Sequence, residues 1–474
     1  MNAQTLFPLV APKLSPPLDP QFRPAALANR AFAAELRNCD SPVPVEIGLE
    51  QTDGSRSTFA TSVFPETHPL AHANLRHLER IAKFLLWSRG GCRIFVCGPV
   101  SLGRALQAHY RESATGRFDA EIMGKRIYER SFEVESVSKI SPARTVSAPL
   151  GRHFDGCRIG FDLGGSDRKV AAVQDGECVF SEEFVWNPMT QSDPQWHFDQ
   201  IMESLREAAA HLPRVDAIGG SAAGVYVNNR VKVASLFRGV PPALFESRVK
   251  NLFLELRQAW GNIPFEVAND GEVTALAGSM ALGKNAVLGI ALGTSMAGGY
   301  VNREGNITTW LNELAFAPVD YNPQAPVDEW SGDAGCGVQC FSQQCVARLL
   351  PAAGIQVDRD LPPVEKLKHV QQLMLLGDER ARRIYQTIGT YLGYALAHYA
   401  AFYDFEHLLI LGRVTSGPGG DVILDCAREV LREEFPELAA RVSFHIPDEK
   451  QKRHGQAMAA ASLPEVKRAG AATS

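Results

Sequence analysis

Two apolar runs, Cys157-Arg158-Ile159-Gly160-Phe161 and Val170-Ala171-Ala172-Val173, flank the segment Asp162-Leu163-Gly164-Gly165-Ser166-Asp167-Arg168-Lys169. Two β-like runs joined by a glycine turn predict a hairpin. Adjacent glycines let the backbone approach a ligand closely and turn its N–H groups toward phosphate oxygens. Ser166 adds a hydroxyl donor, Lys169 a positive charge, and Asp162 a carboxylate suited to holding Mg²⁺ through water. A glycine hairpin by itself also serves merely to join two strands. An acid before the glycines, with a hydroxyl and a cation after them, points to a nucleotide loop.

Partners for such a loop follow in order. Pro264-Phe265-Glu266-Val267-Ala268 reads as a buried strand ending at Asn269-Asp270, and Gly271 to Leu282 as a helix whose Ala275, Ala277, Gly278 and Ala281 permit close packing. A carboxylate where a strand gives way to a helix sits at the ligand-binding rim of an α/β sheet. Asp270 suits a general base toward a hydroxyl, and equally suits a helix cap. Val287-Leu288-Gly289-Ile290-Ala291-Leu292 reads as another strand, leading into Gly293-Thr294-Ser295-Met296-Ala297-Gly298-Gly299-Tyr300-Val301, a second glycine turn with hydroxyls inside it. Two such hairpins separated by a strand-acid-helix unit form a pattern that neither hairpin carries alone.

From about Arg158 to Leu463, roughly two thirds of the chain, this arrangement resembles the ROK family of sugar kinases and sugar-responsive repressors, within the actin-like ATPase and sugar kinase superfamily. The run Asp162 to Lys169 is similar to the family's first phosphate loop, and Asn269-Asp270 to its Asn-Asp pair, whose Asp is the catalytic base. Gly293-Thr294-Ser295 through Gly299 resembles the second phosphate loop. Leu408 to Leu411, then Gly412-Arg413-Val414-Thr415-Ser416-Gly417, resembles the strand and loop on the adenosine side. Leu311-Asn312-Glu313-Leu314-Ala315-Phe316 falls where the family has Glu-x-Gly-His. The resemblance therefore implies ATP and Mg²⁺ as cofactors and Asp270 as base. It places Asp162, Gly164, Gly165, Ser166, Lys169, Gly293, Thr294, Ser295, Gly298, Gly412 and Gly417 at the nucleotide, Asn269 and Glu313 at the substrate, and Asp162 at Mg²⁺ through water.

The departures bear on specificity. The family's His, which touches sugar and zinc, is here Phe316, and its sugar-contacting Glu two residues after the first cysteine is Val338. Of the cysteine cluster, Gly332-Asp333-Ala334-Gly335-Cys336-Gly337-Val338-Gln339-Cys340 keeps one clear match, Cys336. Cys336, Cys340 and Cys345 lie four and five apart, so a helix does not aim all three at one metal, and structural zinc wants four N/S ligands. The three read as small apolar packing residues on a helix, with no zinc site expected. Phe316 and Val338 cannot hydrogen-bond a sugar hydroxyl, a loss that relaxes or redirects specificity. Asn228 and Asn229 fit either substrate contact or a turn.

Composition sets the frame. At 474 residues the chain has room for about three domains. Hydrophobic residues at 45% and charged ones at 21% suit a soluble globular protein with a sizeable core. A net charge of −5, from 48 Lys and Arg against 53 Asp and Glu, argues against a strongly nucleic-acid-binding surface. Nine cysteines at scattered spacings form no disulfide framework. Met1 to Pro20 lacks a signal-peptide pattern, and no run of about 18 apolar residues suggests a membrane span. A reducing cytoplasm is the simplest location. The expected partner is a small sugar or polyol, with no nucleic acid and no membrane, and a homodimer stays open.

Before the family-like region, Pro8, Pro12, Pro16, Pro17, Pro20 and Pro24 make a poor helix or strand and suggest an extended or disordered arm. Leu75, Leu78, Ile81, Ala82 and Leu85 predict an amphipathic helix ending near Gly90-Gly91. Cys92 to Cys97 reads as a strand, Gly98 to Arg104 as a turn opening a second helix, either a plain βα corner or an anion site. Ser131 to Val137 is β-like, and Ser141 to Leu150 a Ser/Pro/Ala connection. ROK repressors carry a winged helix at this end, but strand and glycine punctuation here replace the closely spaced helices it needs. Further on, Asp378 to Tyr403 predicts one long helix with a solvated charged start, Asp421 to Leu431 another, Arg441 to Ile446 a late strand and His454 to Leu463 a closing helix, with a mobile tail beyond Pro464.

The expected fold is α/β, a two-lobed actin-like ATPase (ribonuclease-H-like) fold with an N-terminal α/β extension. Its expected divisions are 1–155 for the extension, 156–268 with 447–463 for the first lobe, and 269–446 for the second. The leading functional expectation is an ATP-dependent sugar or polyol kinase. A sugar- or nucleotide-sensing regulator without turnover is the alternative. A structural module keeping the fold for partner contacts is the third reading, with no sequence feature in its favour.

Overall fold

A computed structural model describes residues 8–146, 150–446 and 449–466. The first residues of the proline-rich start, part of the Ser141–Leu150 connection and most of the tail beyond Pro464 lie outside the described residues. The chain divides into two compact units, Met1–Ser147 with Ile290–Gly298 and Thr309–Ile446, and Ala148–Gly289 with Gly299–Thr308 and Pro447–Ser474.

In chain order the first unit opens with α1 (Ala25–Arg37), the strands β1 (Val43–Glu50) and β2 (Arg56–Val63), α2 (Asn74–Arg89), β3 (Arg93–Cys97), α3 (Val100–Glu112), α4 (Ala114–Ala120) and β4 (Glu133–Ser136). The four strands form one sheet in the order β2-β1-β3-β4. The β1–β2 hairpin is absent from the expectations above. Its signal is present in the alternation Val45, Ile47, Leu49 and in the Asp53-Gly54 turn, where Gly54 takes a φ of 85°. The proline-rich arm runs through turns and is anchored, as Leu18 N–H donates to Thr387 Oγ1 at 3.2 Å and Phe22 packs on Tyr391.

Helix α2 corrects one expectation. Its apolar stripe is where the spacing puts it, but the helix is not amphipathic in effect: every residue from His77 to Arg89 is buried, including Glu79, Arg80 and Lys83. Its charges are enclosed because they pair with one another and with other buried groups. The N-terminal 147 residues also do not stand apart as an extension; they group with Thr309–Ile446.

The second unit carries β5 (Cys157–Leu163), β6 (Asp167–Gln174), β7 (Glu177–Val185), α5 (Pro194–Ala209), β8 (Ala217–Ala222), β9 (Val225–Val227), β10 (Arg230–Val233), α6 (Pro242–Ser247), α7 (Leu252–Ala259), β11 (Phe265–Asn269) and α8 (Asp270–Leu282). Its sheet runs β11-β8-β5-β6-β7, antiparallel from β5 through β7 and parallel from β5 through β8 to β11. Every residue of β5 is buried, as expected of a strand covered on both faces. Along β6, Val170 and Ala172 join the core with Ile159, Phe161, Ile201 and Phe253, while Ala171 and Val173 turn to the other face and meet Ala457 and Ala461.

The strands β12 (Val287–Leu292) and β13 (Met296–Val301) are followed by α9 (Gln343–Ala353), α10 (Pro363–Leu375), α11 (Glu379–Tyr399), β14 (His407–Leu411), α12 (Pro418–Glu434), α13 (Pro436–Arg441), β15 (Ser443–His445) and α14 (Glu449–Ala461). A sheet in the order β13-β12-β14-β15 results. Asp378 caps α11 by accepting from Arg380 N–H at 2.8 Å. Helix α14 closes directly over β5 and β8, because Gly160 and Gly219 leave no Cβ to collide with the carbonyls of Ala457 and Ala460. The segment 270–289, expected in the second lobe, groups with 150–269. Helix α8 packs against α14, which lies on the same sheet as β11.

Candidate active site

The parallel strands β5, β8 and β11 end level with one another. Leu163 is in register with Ala222, and Ala222 with Asn269. The residues at these carboxyl ends therefore share one rim, the place where open α/β sheets bind ligands.

Asp162 faces Ser221 across the β5–β8 pair, and Ser221 Oγ donates to Asp162 Oδ1 at 2.7 Å. On its other side Asp162 is paired with Lys169, whose Nζ lies 4.0 Å from Asp162 Oδ2 and 3.0 Å from Asp167 Oδ1. Burial pushes the Asp162 carboxyl up to about 6; the Ser221 hydrogen bond and Lys169 oppose this, while the charges of Asp270 and Asp167 add to it. Asp162 thus feels one cation, Lys169, and the negative charges of Asp270 and Asp167.

Asp270 opens α8, but the cap is Asn269: its Oδ1 accepts from Gly271 N–H at 2.8 Å and its Nδ2 donates to the Gly224 carbonyl at 2.7 Å. Asn269, expected at the substrate, thus has both ends of its amide engaged within the protein and sets the start of the helix. That frees the Asp270 carboxylate from the capping role. Its own contact is with Gly271 N–H at 3.0 Å, and burial raises its pKa above the ordinary 3.8, with the backbone N–H groups opposing. Asn228 and Asn229 are turn residues with positive φ, and Asn229 ties the Phe265 carbonyl and Val267 N–H.

Two residues of this rim were not anticipated. Ser221 was legible only through strand register, since nothing local marks it. Gln456, on α14, donates from Nε2 to Ser221 Oγ at 3.2 Å and to the Asp270 carbonyl at 3.3 Å. It joins the site because α14 packs on glycines far earlier in the chain, Gly160 and Gly219.

In the turn after β5, Gly164 N–H donates to the Asp167 carbonyl at 2.9 Å, and Trp186 Nε1 donates to the Gly164 carbonyl at 2.8 Å. Ser166 is exposed and bonds Asp167. A Cβ on the exposed Gly165 would meet only Met189, at an ordinary 3.6 Å. The fold does not need glycine here. Gly165→Val should accordingly change stability by less than about 0.5 kcal/mol while abolishing thermal stabilisation by Mg–ATP. A variant that still gains several degrees in Tm with Mg–ATP would exclude this loop from the nucleotide site.

In the first unit, the turn Gly293-Thr294-Ser295 joins β12 to β13. Gly293 N–H donates to the Ser295 carbonyl and its own carbonyl accepts from Gln343 N–H, both at 2.9 Å, while Thr294 and Ser295 are exposed. Gly412, at φ 99°, lies against the Leu292 carbonyl, so the ends of β12 and β14 adjoin. Gly417 takes φ 73° at the start of α12. Gly298 is required by packing, since a Cβ there would fall 2.6 Å from the Asn312 carbonyl oxygen. Glu313 lies just ahead of a single helical turn, Leu314–Phe316, and Phe316 packs 4.3 Å from Trp87 and 5.8 Å from Phe118.

The cysteines differ from expectation in their setting. Only Cys345 lies on a helix, α9; Cys336 and Cys340 flank a single turn, Gly337–Gln339, in a loop region. All three are buried, and burial pushes the thiols of Cys336 and Cys345 up to about 12 and about 11. Among the described residues no group of three or more His, Cys, Asp or Glu side chains is arranged to hold a metal ion, and no helix is long and apolar enough to cross a membrane.

The chain is α/β, with a parallel-and-meander sheet in one unit and a glycine hairpin in the other. Its particular form is the ROK fold. A ROK family transcriptional regulator, homolog of the E. coli MLC protein, superposes with a TM-score of 0.52 at 21% identity, covering 65% of this chain and 78% of that one. A ROK hexokinase from Thermus thermophilus (TM-score 0.49, 20% identity, 64% of this chain and 96% of that one) is also similar. So is a ROK family glucokinase from Streptomyces griseus in complex with glucose and AMPPNP (TM-score 0.47, 21% identity, 65% and 98%). No family model and no curated protein sequence matches the chain.

Proposed function

We propose that this chain is a divergent ROK-type carbohydrate kinase that transfers the γ-phosphoryl group of Mg–ATP to a hydroxyl of a sugar or polyol. The observation that carries this reading is the Asp270 carboxylate. It is relieved of capping by Asn269, raised in pKa by burial, and set on the same rim as Asp162, Ser221 and Lys169. A pKa above the ordinary carboxylate range suits a base working near neutral pH.

In this reading Asp270 accepts the proton of the attacking hydroxyl, Gly164 to Lys169 and Gly293 to Ser295 present N–H and hydroxyl donors to the phosphates, and Gly412 and Gly417 shape the loop on the adenosine side. Asp162, held by Ser221, would anchor Mg²⁺ through water; the ion when bound neutralises phosphate charge. Catalysis of this kind is mostly positioning and charge neutralisation. Glu313 stands on the acceptor side in this reading. Phe316, committed to ring packing with Trp87, makes no hydrogen bond to a hydroxyl, so the acceptor differs from one that a histidine there would recognise.

That same substitution favours a second reading, a sugar- or nucleotide-sensing regulator that binds without turnover. Retention of Asp270 argues for the kinase, since a pure sensor has no use for a base. The discriminating experiment measures ADP release with Mg–ATP over a panel of hexoses, amino sugars and polyols. Acceptor-dependent ADP release establishes the kinase; sugar-induced thermal shifts without ADP release establish the sensor.

A further inference from the structure

We infer that helix α2, in the N-terminal part of the chain, is the positioning element of the acceptor-side loop that carries Glu313. This inference rests on the acceptor-side role proposed above for that loop.

Two sets of contacts support it. The first is at the end of α2. The last carbonyls of a helix have no intrahelical partner. Here the Trp87 carbonyl accepts from Glu313 N–H at 2.9 Å and the Ser88 carbonyl from Asn312 N–H at 3.0 Å. The Trp87 ring packs at a tilt against Phe316 one turn further on, so backbone and side chains hold the same loop.

The second set is an ion network in the middle of the helix. Lys83 Nζ lies 3.1 Å from both oxygens of Asp119 and 3.1 Å from Asp333 Oδ2, and Arg80 Nη1 lies 2.8 Å from that same Asp333 oxygen. Arg80 also binds Glu79 through Nε at 2.6 Å, and Trp87 Nε1 donates to Asp119 Oδ1 at 3.0 Å. Arg80, Lys83 and Asp119 are each no more than 1% exposed. Charges so placed persist only when paired, and removing one partner leaves the other buried and uncompensated. Although burial opposes it, the charges of Arg80 and Lys83 hold the Asp333 carboxyl well below its usual range.

Asp333 passes this constraint on. Its carbonyl accepts from Asp328 N–H at 2.9 Å, closing the loop before Cys336, and Gly337 N–H donates to the Ala317 carbonyl at 2.9 Å, next to Phe316. The Glu313 loop is thus held from one side by the end of α2 and from the other by a segment that α2 fixes through charge. Lys83, Arg80 and Asp333 are positioning residues and do not themselves touch the acceptor in this scheme.

The test compares wild type with Lys83→Met, Asp333→Asn and Lys83→Arg by amide hydrogen exchange and by steady-state kinetics. In Lys83→Met and Asp333→Asn, exchange at Asn312 and Glu313 should speed up at least about tenfold, reflecting local opening. The acceptor KM should rise on the order of 10- to 100-fold from misplacement of the loop, with the KM for ATP unchanged. Lys83→Arg keeps the cation and should restore much of both. Should Lys83→Met fail to fold, Asp333→Asn, which preserves shape, carries the test. Unaltered exchange at Asn312 and Glu313 in folded Asp333→Asn would overturn the inference, as would equal rises in both KM values. If wild type turns over no acceptor, the kinase reading fails, while the exchange measurement still decides what α2 does.

Discussion

Replacing Asp270 with asparagine should lower phosphoryl transfer by about 10²- to 10⁴-fold, the usual worth of a general base. Asparagine keeps the size and hydrogen-bonding capacity of the side chain but accepts no proton at neutral pH. Asn269 remains as the helix cap, so α8 should start as before. The loops at Gly164 to Lys169 and Gly293 to Ser295 are untouched, and ATP affinity should follow wild type. The pH profile adds a second readout. A base must be unprotonated to act, and the Asp270 pKa is raised by burial, so activity should fall on the acid side at a higher pH than for an ordinary carboxylate. The residual activity of Asp270→Asn should lack that acid limb. Measuring ADP release against pH with the best acceptor, alongside ATP binding, decides the matter. Equal rates in the two proteins would remove Asp270 from the mechanism.

The second large effect belongs to Asp162, and it has opposite signs for binding and for stability. Burial raises its pKa in the folded state from 3.8 to about 6. Between those values the folded protein binds more protons than the unfolded chain, so stability is lost as pH rises through about 4 to 6 and stays reduced above it. A shift of about two units corresponds to something on the order of 2–3 kcal/mol. Asp162→Asn cannot ionise and should therefore be more stable than wild type at pH 7 without nucleotide, the two converging near pH 4. The same variant should lose most of the stabilisation that Mg–ATP confers on wild type, because the anchoring carboxylate is gone. Urea unfolding at several pH values, with and without Mg–ATP, measures both. A variant that is no more stable at pH 7 and equally responsive to Mg–ATP would show that Asp162 neither bears the cost of a buried charge nor serves the cation.

Much of this site is legible from local pattern. The glycine hairpin at Gly164-Gly165, the strand ending at Asn269-Asp270 and the turn at Gly293 are defined within a dozen residues each, by backbone demands that only particular side chains meet. Gly165 and Asp270 can be picked out this way because turn and strand-to-helix junction are short-range events. The assignment of the helix cap is not legible to the same degree. Asn and Asp are both good caps, and only the path of the chain out of β11, with Gly224 waiting for the Asn269 amide, gives the role to Asn269 and frees Asp270.

By itself, then, the sequence determined the α/β class, the two glycine turns and the carboxylates beside them, since each follows from the conformations and hydrogen bonds available to a few neighbouring residues. Only the tertiary structure decided which distant groups complete them. Ser221 reaches Asp162 through parallel strand register, and Gln456 reaches both Ser221 and α8 because two glycines admit α14 to the sheet. The charged side chains of α2 are enclosed because Asp119 and Asp333, both from later in the chain, bring the counter-charges that make their burial tolerable. Periodicity records which faces of an element are apolar. It does not record whether a polar face will find its partners, and that depends on contacts between residues far apart in the chain.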